Sequence, residues 1–183
     1  KKNRGKNPYI WSQFSTNKFL SLSLVVGKNK LTDYISHYQE PEEVKDKDEY
    51  VICPDNRKKE EFTKKLSFYS LPGSKNLGYL IVQIKRFDNF GNKKNKPVSL
   101  PLDISFINDD NNREDFSLYA VINHHGSSLA SGHYTAYIKS ADNQWFHADD
   151  AKVKKIKSSE IIKGRSAYIV FYERKINAVD GLL

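Results

Sequence analysis

Apolar residues along the chain fall into short runs that favour strands over helices. Residues 19–26 set apolar side chains between serines, residues 77–87 are rich in branched aliphatics, and residues 167–172 are continuously apolar. The last of these predicts a buried central strand. Leu31, Tyr34, Ile35 and Tyr38 recur at helical spacing, which predicts an amphipathic helix over 31–39 that Pro41 helps to end. A short second helix is predicted from Ser158, with Ser158 as its cap and Glu160 in its first turn. The polar stretches 42–49, 89–96 and 108–115 can bury little apolar surface and are expected as surface loops. No repeat or second core is visible, so the expected class is α+β, β-rich, with long insertions.

Composition narrows the setting. With 183 residues, 38% of them hydrophobic, the chain is long enough for one globular domain or a large piece of one. No apolar run approaches the roughly 20 residues that cross a bilayer, and residues 1–7 lack the apolar stretch of a secretory signal. A single cysteine, Cys53, excludes an internal disulfide framework and a multi-cysteine metal cage within the chain. The expectation is a soluble protein with no membrane partner, inside the cell, in cytoplasm or nucleus. The net charge of +8 gathers in lysine clusters at 1–6, 57–65, 93–96 and 152–157, which raises the question of an acidic partner. Interleaved acidic residues, and basic runs without aromatic interleaving, argue against nucleic acid. P-loop, G-x-G-x-x-G and G-x-S-x-G motifs are absent, which weakens nucleotide-dependent and serine-hydrolase readings.

The chemistry concentrates between Tyr119 and Asp150, which holds four of the five histidines. Gly132 precedes His133, and in the strand expected next Tyr134, Ala136 and Ile138 form the apolar face while His133, Thr135 and Tyr137 point the other way. That places His133 at a strand entrance, off the core face, where an imidazole can be held and still be reached. A base of this kind needs a carboxylate or amide on its second ring nitrogen, and Asp149 and Asp150 are the candidates. The sixteen residues from His133 to Asp149 leave room for a strand, a turn around 141–144, and a returning strand through Trp145. On the residues alone, a strand-end hydrogen-bonder and an exposed acidic turn remain open as the alternative. His124 and His125 lack the spacing of a metalloprotease site and have no cysteine nearby, so no metal is expected there.

The motifs then match a family. G-H-Y at 132–134, W-x-x-x-D-D at 145–150 and the closing A-Y-I-V-F-Y resemble the histidine box of ubiquitin-specific proteases. F-L-S-L-S-L at 19–24, L-T-D-Y-I-S-H-Y at 31–38, Leu71-Pro72, L-I-V-Q-I-K-R-F at 80–87 and V-S-L-P-L-D at 98–103 follow in that family's order, so the resemblance covers nearly the whole chain. It implies a papain-like cysteine protease fold, here the palm and fingers portion with an antiparallel sheet and the thumb missing. The domain reading is a C-terminal half of the catalytic domain over 1–175, with fingers and adjoining helix at about 1–75, palm at 76–175, and a tail at 176–183. The implied activity is thiol-dependent hydrolysis after the C-terminal glycine of ubiquitin, with ubiquitin and ubiquitinated proteins as partners and no cofactor.

By residue, the resemblance places His133 on the general base and Asp149 on the group that orients it. Asp150 falls on a neighbouring polar position, His124 on a cleft-lining histidine near the ubiquitin tail, and Gly132 and Tyr134 on the narrow channel for the glycine pair. The family's asparagine, glycine, threonine and cysteine box is not found in the chain, so the nucleophile is expected from a missing N-terminal half and this piece alone is expected to be inactive. Of the two C-x-x-C pairs that many members use for zinc, only Cys53 remains, with Asn56 where its partner would stand, so no zinc is expected. Ala148 stands where the family carries an aromatic. Cys53 itself is a poor nucleophile candidate, because Pro54 supplies no amide and a charged segment follows instead of an amphipathic helix. The rival reading is a catalytically inactive ubiquitin-binding scaffold.

Overall fold

The structure, a computed structural model, describes residues 20–24, 28–44, 51–52, 59–60, 62–64, 78–107, 111–128 and 130–175. Cys53, Asn56, Leu71-Pro72 and the tail 176–183 lie outside them, and with them the expectations made there. The elements are β1 (Leu20–Ser23), α1 (Leu31–Gln39), β2 (Glu42–Val44), β3 (Val51–Ile52), β4 (Lys59–Glu60), β5 (Phe62–Lys64), β6 (Tyr79–Lys85), β7 (Asp103–Ile107), β8 (Arg113–His125), β9 (His133–Lys139), β10 (Trp145–Asp149), β11 (Lys152–Ile156), α2 (Ser158–Ile161) and β12 (Ala167–Arg174).

Eight strands form one sheet in the order β1-β6-β12-β8-β9-β10-β11, with β7 paired to the first part of β8. Only β1 and β6 run parallel among these pairs, so the sheet is mixed where an antiparallel one was expected. Two short antiparallel pairs, β2 with β5 and β3 with β4, stand apart from it. The segment 42–49, expected as loop, thus starts as a strand: Val44 is buried opposite Phe62 and anchors it. As the apolar run predicted, β12 is central, inserted between β6 and β8.

Strict alternation builds the core. In β6, Leu80, Val82 and Ile84 turn inward, and each such side chain taken out of water contributes about 1.5–3 kcal/mol. In β8 the inward set is Phe116 and Leu118 and then Val121, because a register shift opposite Phe171 and Tyr172 inserts an extra residue. Leu31, Tyr34 and Ile35 of α1 and Ile161 of α2 cover this face. The first helix has its predicted bounds. The second begins at Ser158 as predicted, but its N-cap is Lys157 and not Ser158: the Glu160 carboxylate accepts from the Lys157 N–H at 3.2 Å, half of a capping box.

One buried charge organises the loops at the end of β6. Arg86 is fully buried, and its guanidinium donates to the carbonyls of Ala167 at 2.5 Å, Lys94 at 3.2 Å, Lys96 at 2.8 Å and Gly164 at 3.1 Å. Loss of hydration lowers its pKa to about 10, which still leaves it charged at neutral pH. A planar fork suits four carbonyls coming from three directions. The 89–96 segment, expected as a loop, is accordingly held, with bridges from Phe87 to Lys93 and from Asn92 to Ser128.

Candidate active site

The site grows from the β8–β9 connection. His125 pairs with His133 across the two strands, and residues 126–132 close the loop between them. A Cβ on Gly132 would lie 2.6 Å from the His125 carbonyl oxygen and closer still to His124 Nε2, so the backbone lies flat on the His124 ring and only glycine fits. The His124 ring is packed against Tyr134, Phe87 and Tyr168 at centroid separations of 4.9, 5.4 and 6.1 Å. Expected to line a cleft, His124 is instead 2% exposed and forms the floor beneath Gly132. Burial, then the charge of Lys93, holds its pKa below the ordinary 6.5, so the ring is neutral at pH 7. Among the described residues its Nδ1 is buried with no hydrogen-bond partner. Lys93 Nζ donates to the His124 carbonyl at 2.5 Å and fixes the loop from the other side.

His133 leaves this floor at the start of β9. The turn 140–144 returns the chain into β10, held by Ser140 N–H to the Gln144 carbonyl at 2.8 Å and by Asn143, whose φ is +62°. Ala136 therefore pairs with Ala148, and Asp149 comes back beside His133. Nε2 of His133 and Oδ1 of Asp149 are 2.5 Å apart, with both side chains about half exposed. The hydrogen bond to Asp149, followed by the charges of Asp149 and Asp150, raises the pKa of His133 above 6.5. Reciprocally, the bond to His133 holds the Asp149 carboxyl below its ordinary 3.8. Nε2 is thus the tied nitrogen, and Nδ1 has no hydrogen-bond partner among the described residues. Asp150 sits at the β10–β11 turn with φ +50°, a left-handed conformation aspartate tolerates, and adds charge without a bond to the ring.

The face expected of β9 is inverted. Thr135 is buried and Tyr137 packs on the core, whereas Tyr134 and Ile138 are 55% and 47% exposed. The cause is a sheet apolar on both sides: Tyr79, Tyr119, Ile138 and Phe171 lie opposite the core, so apolarity alone cannot say which face is covered. His133 thus points to the core side but sits where the core has ended. On the outer face a shallow pocket of about 280 Å³ is lined by Ile81, Gln83, Ile169 and Phe171.

Sequence reasoning missed the supports. His125 Nε2 lies 2.9 Å from Thr135 Oγ1, and its ring centroid is 6.3 Å from that of His133. Thr135, two residues after His133 and on its side of the strand, was a readable signal; Lys93 and Arg86 are sequence-remote and were not. His133, Asp149 and Asp150 offer ligand atoms within 4.8 Å of one another and could hold a cation among the described residues. The His133–Asp149 hydrogen bond accounts for that closeness without one.

The family model "Ubiquitin carboxyl-terminal hydrolase" matches residues 22–172. The chain is 38% identical over 136 residues to Ubiquitin carboxyl-terminal hydrolase 9 of Arabidopsis thaliana, covering 69% of this chain and 14% of that protein. It is 34% identical over 162 residues to Ubiquitin carboxyl-terminal hydrolase 12 of Saccharomyces cerevisiae, covering 83% of this chain and 12% of the relative. Among solved structures, the SAGA DUB module of Ubp8, Sgf11, Sus1 and Sgf73 bound to monoubiquitin is similar at TM-score 0.68 and 25% identity, over 86% of this chain and 35% of that one. A yeast SAGA module with an altered Sgf73 gives 0.69 over the same shares, so the chain has the fold of part of these papain-like domains. A match across most of its length, on the strands that carry His133 and Asp149, places the chain in the ubiquitin carboxyl-terminal hydrolase family.

Proposed function

We propose that the chain is the base-bearing part of a deubiquitinase, and that the nucleophilic cysteine comes from the portion of the catalytic domain that precedes it. The observation that carries this is the 2.5 Å contact of His133 Nε2 with Asp149 Oδ1, which among the described residues leaves Nδ1 without a hydrogen-bond partner. In the reaction Nδ1 takes the thiol proton, the thiolate attacks the carbonyl of the modifier's C-terminal glycine, and the imidazolium returns the proton to the departing amine. Water, deprotonated by the same nitrogen, then hydrolyses the thioester and regenerates the thiol. Asp149 fixes the tautomer and steadies the imidazolium. The apolar outer face around Ile81, Ile169 and Phe171 is the seat for the cysteine-bearing part, and its burial there removes an exposed patch that water disfavours. Ubiquitin and ubiquitinated proteins are the substrates in this reading, in a cytoplasmic or nuclear setting, and Gly132 and Tyr134 line the channel for the glycine pair.

The test is hydrolysis of a fluorogenic ubiquitin C-terminal amide by the chain alone and after addition of the preceding segment, for wild type and His133→Ala. Activity that needs both parts and disappears with His133→Ala is expected. Activity of the chain alone that depended on Cys53 would overturn the split assignment, and ubiquitin binding without cleavage in any combination would favour the scaffold.

A further inference from the structure

β11 is the outermost strand of the eight-stranded sheet, paired to β10 on one side and to no strand on the other among the described residues. Its free side therefore presents N–H and C=O groups in the row that an incoming strand pairs with. Lys152, Lys154 and Lys155 lie on it and Lys157 follows, and among the described residues none of the four ammonium groups has a carboxylate partner within ion-pair distance. Val153, between them, is 65% exposed. One inward-pointing lysine suffices to blunt an edge against self-pairing. Lysines on both faces around a bare valine exceed that need, and they give the edge the charge and apolar contact of a recognition strand.

Position gives the edge its role. Lys152 pairs with Asp149 across the hairpin, so the strand starts beside His133 and runs away from it. We propose that the free edge of β11 docks an extended acidic segment of the protein from which the modifier is removed, by adding it to the sheet as a ninth strand; this rests on the deubiquitinase reading for the identity of the docked protein. Main-chain groups on the edge complement a peptide backbone, which a phosphate backbone cannot match. The lysines then select glutamate- or aspartate-rich flanks, and Val153 meets the apolar side chains that alternate with them.

The experiment uses the whole 183-residue chain. A labelled peptide of alternating glutamate and valine is titrated by fluorescence anisotropy beside three probes: its alternately N-methylated form, a lysine–valine peptide, and a single-stranded oligonucleotide. We expect the acidic peptide to bind and to slow amide exchange at 152–156. We expect N-methylation to abolish binding, Lys154→Glu with Lys155→Glu to weaken it about tenfold or more, and Lys163→Glu, off the strand, to leave it unchanged. Equal affinity for the N-methylated peptide, tighter binding of the oligonucleotide, insensitivity to the double variant, or no binding at low salt would each overturn the proposal. If the double variant does not fold, the N-methylated arm on the wild-type chain still decides. No cleavage is measured, so peptide binding by a chain that hydrolyses no ubiquitin amide even with the preceding segment added would sink the proposed function and leave the docking edge standing.

Discussion

Gly132→Ala is the sharpest perturbation of the floor beneath His133. The added methyl meets the His125 carbonyl oxygen at 2.6 Å and His124 Cε1 at 2.8 Å, both well inside ordinary van der Waals contact. The carbonyl belongs to β8 and cannot move without disturbing its pairing to β9, and the ring is wedged among Phe87, Tyr134 and Tyr168. Neither neighbour yields cheaply, so the cost belongs in the upper part of the overpacking range, about 2–3 kcal/mol. With a urea slope of about 2 kcal/mol/M, the midpoint should drop by roughly 1 M. Gly78→Ala, whose methyl meets nothing within 4 Å, is the control and should move the midpoint little. The cycle with His124→Ala isolates the ring's share: in that background Gly132→Ala should cost about 1 kcal/mol less, the remainder being the His125 carbonyl. An unchanged midpoint for Gly132→Ala, or an identical penalty with and without the ring, would refute the close-packed floor.

Other consequences follow from the same contacts. By NMR, His133 should titrate above 6.5 and His124 and His125 below it, and Asp149→Asn should bring His133 down toward 6.5. The stability difference between wild type and Asp149→Asn has a defined pH window. The raised His133 pKa gives a contribution that is complete below about 6.5 and lost as pH rises through the folded value, while the depressed Asp149 pKa gives one complete above about 3.8 and lost as pH falls through its own. The difference should therefore peak between these limits, and a pH-independent difference would deny the ion pair. Arg86→Met removes one donor from each of four carbonyls, of which that of Gly164 keeps the Val98 N–H, and should cost about 3 kcal/mol in urea unfolding, and Arg86→Lys should recover little because an ammonium cannot fork. Gly164→Ala combines φ +49° with a methyl driven into the Val98 carbonyl, and should lower the thermal midpoint by several degrees.

Much of this was legible in the sequence where one physical cause acted alone. Helical spacing from Leu31 to Tyr38 fixed α1, the unbroken apolar run placed β12 at the centre, and the His133-to-Asp149 interval with its polar turn gave the hairpin and its meeting point. Where two causes competed, the pattern misled. Tyr134, Ala136 and Ile138 are apolar and yet not in the core, since the sheet's other face is apolar as well. The polar segment 42–49 begins as a strand because Val44 alone suffices to anchor it. Lys157 displaced Ser158 as cap once Glu160 was in position to reach back. Arg86 and Lys93 could not be found from the sequence, because their partners are carbonyls, and a carbonyl leaves no trace in residue identity.

The insertion of β12 between β6 and β8 has a temporal meaning. β6 and β8 do not pair with each other; each pairs with a strand made after both, through Val82 and Val121 to Val170. During synthesis the hairpin that brings His133 to Asp149 can close from local sequence, but the sheet beneath it stays split, with two open edges, until Ala167 and the residues beyond it arrive. Chain cut short before that strand should keep the chemistry's local geometry and lose the platform, and its free β6 and β8 edges make it the species most prone to associate.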